Sequence, residues 1–194
     1  IEGKNIRSLT KKFNTPLYCY SYKNLRGNIE NFKKAFKEIR PLICFSVKSN
    51  SNISLLKEIK KFGLGTDVVS KGELYASLKA GINKNKIVFS GVGKTKDEIE
   101  YAIKQKILLI NSESLSEVLA IEAAAKKLNK VVNIGLRLNP DTDAETLKQI
   151  STGKSENKFG VDKKTFVKII NLMKQSKFIN IKCLSVHIGS QILN

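Results

Sequence analysis

The chain has 194 residues, 41% hydrophobic and 27% charged, with a formal net charge of +18. That length carries one ordinary core, and no apolar run approaches the ~20 residues of a membrane-spanning helix. The charge invites a nucleic-acid partner, but scattered lysines carry it, with arginine only at Arg7, Arg26, Arg40 and Arg137; phosphate clamping and base readout favour arginine beside aromatics, so neither nucleic acid nor membrane is an expected partner.

Residues 1–13 are polar, with a short amphipathic segment from Ile6 to Phe13. Thr15-Pro16 breaks the pattern, and residues 17–20 (LYCY) read as a short strand. From Tyr22 to Arg40 the apolar residues Leu25, Ile29, Phe32, Phe36 and Ile39 recur at three and four, the mark of a helix with one apolar stripe. Pro41 ends it.

A repeating unit follows. Short apolar runs at 43–47, 67–69, 87–89, 107–110, 132–138 and 179–186 alternate with helical patterns near 52–62, 71–80, 96–105, 115–128 and 162–176. Thr95 with Glu98, and Ser114 with Glu117, form capping-box patterns. Gly63, Gly65 and Gly81 sit where helices exit. Such alternation means a parallel sheet with helices outside it, either a doubly wound sheet or a (β/α)8 barrel. No GxGxxG follows the first strand. Gly91-Val92-Gly93-Lys94-Thr95 resembles the end of a P-loop, but the required earlier glycine is Val88. Nucleotide binding by either motif is rejected.

In the barrel reading, chemistry gathers at the C-terminal ends of the strands. Those ends are Lys48, Ser70, Ser90-Gly91, Asn111, Arg137-Leu138-Asn139 and His187-Ile188-Gly189-Ser190. The long insert 139–161 belongs to the same rim. A lysine ending an apolar strand is costly to bury; burial disfavours the ammonium form, and a neutral amine can attack an aldehyde. The competing reading is a lysine that has left the strand and reached water. His187 is the lone histidine, and a lone histidine is more often structural than catalytic. Arg137 in an apolar strand needs a partner, for which Asp67 and Glu73 are the candidates. Ser70 and Glu73 also make a capping box for the next helix.

Three cysteines, Cys19, Cys44 and Cys183, with no CxxC spacing point to free thiols in a reducing cytoplasm and to no metal site. The first residue is not methionine, no secretory signal is visible, and six strand runs fall short of eight. The chain is therefore expected to be the N-terminal part of a longer protein, inactive by itself.

Five blocks carry a family resemblance: Phe45-Ser46-Val47-Lys48-Ser49-Asn50; Asp67-Val68-Val69-Ser70-Lys71-Gly72-Glu73-Leu74; Phe89-Ser90-Gly91-Val92-Gly93-Lys94-Thr95; Leu136-Arg137-Leu138-Asn139-Pro140-Asp141; and Ser151-Thr152-Gly153 with Lys158-Phe159-Gly160. In this order the chain resembles the diaminopimelate decarboxylases, within the fold-type III (alanine-racemase-like) pyridoxal-phosphate enzymes. The likeness runs from Thr15-Pro16 to Gln191. It implies an α/β fold: a pyridoxal-phosphate-binding TIM-type barrel over residues 21–194, incomplete at about six of eight βα units, after a segment 1–20 contributing to a β-domain. It implies that Lys48 attaches pyridoxal 5'-phosphate, and that His187 lies flat on one face of the cofactor ring. Ser190 and the backbone at Gly189 would offer donors to the phosphate. Asp67 and Arg137 would belong to the cofactor pocket, with Glu73 a weaker member. The implied reaction is decarboxylation of an amino acid, meso-diaminopimelate to L-lysine, by a homodimer when full length. Related decarboxylases of ornithine, arginine or carboxynorspermidine, and a non-catalytic cofactor-binding fragment or regulator, are the alternatives. One departure stands out: Thr146-Leu147 replaces the Thr-His pair common before the STG block.

Overall fold

Residues 1–142 and 159–190 are described by the structure, a computed structural model of the chain. The segment with Thr146-Leu147, Ser151-Thr152-Gly153 and Lys158 lies outside them, as does Gln191. The chain divides into two compact units, Ile1–Pro41 and Leu42–Asn194.

In the first unit the Asn5 side chain caps α1 (Ile6–Phe13), and Ser21 caps α2 (Tyr22–Ala35). The Glu2 carboxylate accepts from the Ser21 hydroxyl and the Lys23 amide, both at 2.7 Å. The expected strand at 17–20 is absent: an apolar tetrapeptide becomes a strand only where a ladder partner exists, and Tyr18 and Tyr20 are instead exposed. Helix α2 also stops short of the expected Arg40. Residue 40 precedes Pro41, is disfavoured in the helical region, and takes a φ of 44°, so residues 36–39 unwind into turns. Among the residues of its apolar stripe, only Ile29 is buried.

The second unit is built of βα repeats. Strands β1 (Cys44–Ser46), β2 (Gly65–Val68), β3 (Ile87–Phe89), β4 (Leu109–Ser112), β5 (Val132–Arg137) and β6 (Ile179–Ser185) form one sheet in sequential order. Every neighbouring pair is parallel. Helices α3 (Ile53–Lys61), α4 (Lys71–Lys79), α5 (Lys96–Gln105), α6 (Leu115–Leu128) and α7 (Lys163–Met173) fill the crossovers. Strictly sequential order is barrel winding; a doubly wound sheet would reverse its order partway. The described sheet is open, with β1 and β6 as its edges.

Strand side chains alternate between faces. Val68, Phe89, Ile110, Ile134 and Leu136 on one face are essentially inaccessible, as are Leu56, Ile59, Leu74, Ile99 and Ile121 of the helices. This layer is the core, and truncating such a residue to alanine costs about 2–5 kcal/mol. Caps set where each helix begins: Thr95 and Glu98 form a complete capping box, and Ser70, Ser114 and Asp162 cap α4, α6 and α7. Gly63 and Gly81 have the positive φ of helix exits, but Gly65 does not. It opens β2, where a Cβ would fall 2.1 Å from the Lys86 carbonyl; close strand approach, not left-handed backbone, demands glycine there.

Candidate active site

The strand face opposite the core carries small and polar residues. The register aligns Ser46 with Asp67 and Val88, and Asn111 with Gly135 and Cys183. Where these rows reach the C-terminal ends of the strands, a cavity of about 390 Å³ opens. Lys48, Asp67, Ser90, Asn111, Glu113, Arg137, Phe159, His187 and Ser190 line it. Chain positions up to 142 residues apart meet there because each strand delivers its last inward side chain to the same rim.

Lys48 lies in the single 3-10 turn Val47–Ser49 that follows β1. The amine is exposed, unlike the dry lysine the sequence suggested. It follows β1, an edge strand of the described sheet. It nonetheless shares the cavity with Asp67 and His187 and acts electrostatically on both. His187 follows the opposite edge strand, β6. Its residue surface is largely open, yet the desolvated side of the ring, then the Arg137 and Lys48 cations, push the imidazole below its usual range. The neutral ring is therefore favoured.

Asp67 is the site's partly buried carboxylate. Burial pushes it above the usual range; the Ser90 hydrogen bond, Lys48, Lys94 and His187 oppose this in part. Ser90 Oγ donates to Asp67 Oδ1 at 2.5 Å, and Asn111 Nδ2 donates to Ser90 Oγ at 3.0 Å. This relay ties β2, β3 and β4 together. Asn111 Oδ1 is buried with no hydrogen-bond partner among the described residues, and a Cβ on Gly135 would sit 2.0 Å from it. Gly135 is thus the space that lets Asn111 point across the cavity wall.

Arg137 pairs with neither Asp67 nor Glu73. Its Nη1 donates to Glu113 Oε2 at 2.9 Å, and Nη2 donates to the His187 carbonyl at 3.3 Å. The side chains are 12% and 3% exposed for Arg137 and Glu113, so a salt bridge answers the cost of each buried charge. The guanidinium also lies 5.0 Å from the centre of the Phe159 ring. Glu73 does not reach the cavity: its carboxylate accepts from the Val69 amide at 2.9 Å, while its own amide donates to Ser70 Oγ at 3.2 Å. It is a helix cap. Ser190 stands at the cavity edge beside His187, exposed.

Sequence reasoning gave no site role to Glu113 or to Phe159, which entered only within a resemblance block, and it gave none to Lys94, seen in a false P-loop and a resemblance block, or to Glu117, seen as a cap. No spacing rule joins Arg137 to Glu113, because they meet only through the β4–β5 register. Among the described residues no cluster of three or more histidine, cysteine or acidic side chains is placed to hold a metal, and no helix is long and apolar enough to cross a membrane. Cys44 lies behind the rim; burial, then Asp67, pushes its thiol up to about 11, which keeps it protonated and unreactive.

Sequential parallel βα units with amine, imidazole, guanidinium and carboxylate gathered at the strand C-termini define a barrel-type α/β enzyme domain. The chain belongs to the family described as pyridoxal-dependent decarboxylase, pyridoxal binding domain, whose sequence model matches residues 22–194. A diaminopimelate decarboxylase of Helicobacter pylori strain J99 is 44% identical over 190 residues, covering 98% of this chain and 47% of the relative. One from Aquifex aeolicus is 41% identical over 194 residues, covering 100% of this chain and 46% of its own length. The crystal structure of the Helicobacter pylori enzyme complexed with L-lysine superposes with a TM-score of 0.94 at 43% identity, over 98% of this chain and 48% of that one. The chain therefore spans about half the length of the relatives it matches.

The cavity fits the family's cofactor. Its volume lies within the range of small-molecule sites, roughly 300–1,000 Å³. It offers an accessible amine for an aldehyde, a ring held toward its neutral form for stacking, and a hydroxyl beside a glycine turn for a phosphate.

Proposed function

We propose that the protein to which this chain belongs is a pyridoxal-phosphate-dependent decarboxylase that converts meso-diaminopimelate to L-lysine and carbon dioxide. The observation that carries this is the meeting of Lys48, Asp67, Arg137, His187 and Ser190 on one cavity, in a chain 44% identical to a diaminopimelate decarboxylase across nearly all its length. The Helicobacter structure holds L-lysine, the product of this reaction.

Bound pyridoxal phosphate supplies an electron sink for the pair left on the α-carbon when carbon dioxide departs. The chain's own residues do the rest. Lys48 Nζ would be the amine that holds the cofactor through its aldehyde. His187 would hold the cofactor ring by stacking and shield it from water. Its neutral state suits that task, because a cation would compete for water. Ser190 Oγ and the turn at Gly189 would donate to the phosphate. Asp67, held by Ser90, faces Lys48 with negative charge and can hold or release a proton there. Arg137, locked by Glu113 and bonded to the His187 carbonyl, keeps the imidazole's strand end in position. The full protein is read as a cytoplasmic homodimer.

Incubating the full-length protein with pyridoxal phosphate and, separately, meso-diaminopimelate, ornithine, arginine and carboxynorspermidine, and measuring carbon dioxide, tests the reading. Release from meso-diaminopimelate at least tenfold above the others is expected. Preferential release from another amine, or none from any, contradicts it.

A further inference from the structure

Lys94 is buried and belongs to none of the groups that face the cavity. Its side chain is 1% exposed and pairs with Glu117, 10% exposed, at 2.7 Å. All three of the ammonium's donors are used: to Glu117 Oε1 at 2.7 Å, to the Gly91 carbonyl at 2.5 Å and to the Asn111 carbonyl at 2.7 Å. The charge also lies 5.5 Å from the centre of the Phe89 ring. One amine thus holds the loop after β3, the end of β4 and the first turn of α6.

Glu117 continues the linkage. Its second oxygen accepts from the Glu113 amide at 2.7 Å, in place of the reciprocal bond to Ser114 that a capping box would make. Glu113 then holds Arg137, and Arg137 bonds the His187 carbonyl. Contacts therefore lead from Lys94 through Glu117, the backbone and carboxylate of Glu113, and Arg137 to the carbonyl of the residue read as the ring-stacking histidine. Lys94 also acts electrostatically on Asp67. Its other contacts fix Gly91, next to Ser90, and Asn111, the two positions whose side chains or neighbours support Asp67.

We propose that Lys94 and Glu117 are positioning residues for the cofactor pocket: a buried pair that sets where Asn111, Glu113 and, through Arg137, His187 present themselves. The proposal rests on the reading of the cavity as a pyridoxal-phosphate site. A pair serving stability alone would be replaceable by apolar side chains of similar volume, since such replacements of buried ion pairs are often neutral or stabilising. A positioning pair would not be, because the Gly91 and Asn111 carbonyls and the Glu113 amide would lose the groups that hold them.

The test uses the full-length apoprotein, wild type beside Lys94→Met/Glu117→Met and Glu117→Gln, reloaded with pyridoxal phosphate. The double variant is expected to melt below wild type, because three backbone groups lose their partners, and to remain folded at the assay temperature. It is nevertheless expected to bind the cofactor at least tenfold more weakly and to lose the visible circular dichroism of the bound cofactor. Glu117→Gln keeps an acceptor for Lys94 but loses one of the two carboxylate acceptors; it is expected to weaken cofactor binding at least threefold, and it decides the matter if the double variant does not fold. Variants that fold with wild-type cofactor affinity and wild-type dichroism overturn the proposal. A wild-type protein that binds no cofactor instead defeats the reading of the cavity, so the two failures are distinguishable.

Discussion

Replacing Gly135 by alanine places a methyl group where the Asn111 side chain lies. The new Cβ would sit 2.0 Å from Asn111 Oδ1 and 3.3 Å from the Cys183 Cβ. Strand β5 is paired on both sides, with β4 and β6, so its backbone has little freedom to retreat. Asn111 must rotate and give up its 3.0 Å bond to Ser90. Overpacking costs about 1–3 kcal/mol, and the lost hydrogen bond about 0.5–1.5 kcal/mol. Removing glycine from a position compatible with alanine returns about 0.4–1 kcal/mol through the unfolded chain. The net expectation is a loss of about 0.5–4 kcal/mol, read as a lower urea midpoint at unchanged slope. Gly135→Ala combined with Asn111→Ala removes the clash and should be less destabilised than the sum of the two single changes, by about 1 kcal/mol or more. A Gly135→Ala protein as stable as wild type, or strictly additive behaviour of the pair, would refute the close approach on which the estimate stands.

Glu113→Ala strips the salt-bridge partner from a nearly buried guanidinium; it should cost about 3–5 kcal/mol, whereas Glu113→Leu with Arg137→Met should recover most of that in denaturant titrations. Asp67→Asn should gain stability relative to wild type as pH rises. The Asp67 carboxyl is held above its usual range by burial, so its contribution is full below the unfolded value near 3.8 and is lost as the pH climbs through the higher folded value. Denaturation curves at pH 4 and pH 7 should show the variant's advantage growing toward pH 7; a constant or shrinking difference contradicts that sign.

The order of elements was legible because glycines, capping residues and short apolar runs punctuate it. The rim was legible for a related reason: Lys48, Arg137 and His187 interrupt or close apolar strands, where a charge or imidazole has no packing role. What escaped depended on partners distant in sequence. Arg137 chooses Glu113 over Asp67 or Glu73 because β4 and β5 are neighbours and Glu73 is committed to the Val69 amide. Lys94 escaped because its three acceptors come from three separate segments. The strand expected at 17–20 failed for lack of a ladder partner, and Lys48 lies in the turn after β1, an edge of the described sheet.

The central claim is that the Lys48 amine is the cofactor's covalent anchor. Borohydride reduction of the pyridoxal-phosphate-loaded full-length protein, followed by peptide mass spectrometry, tests it most directly. One phosphopyridoxyl group per chain, on Lys48, is the expected result. A modified lysine elsewhere with Lys48 intact, or no stable adduct at all, would contradict it.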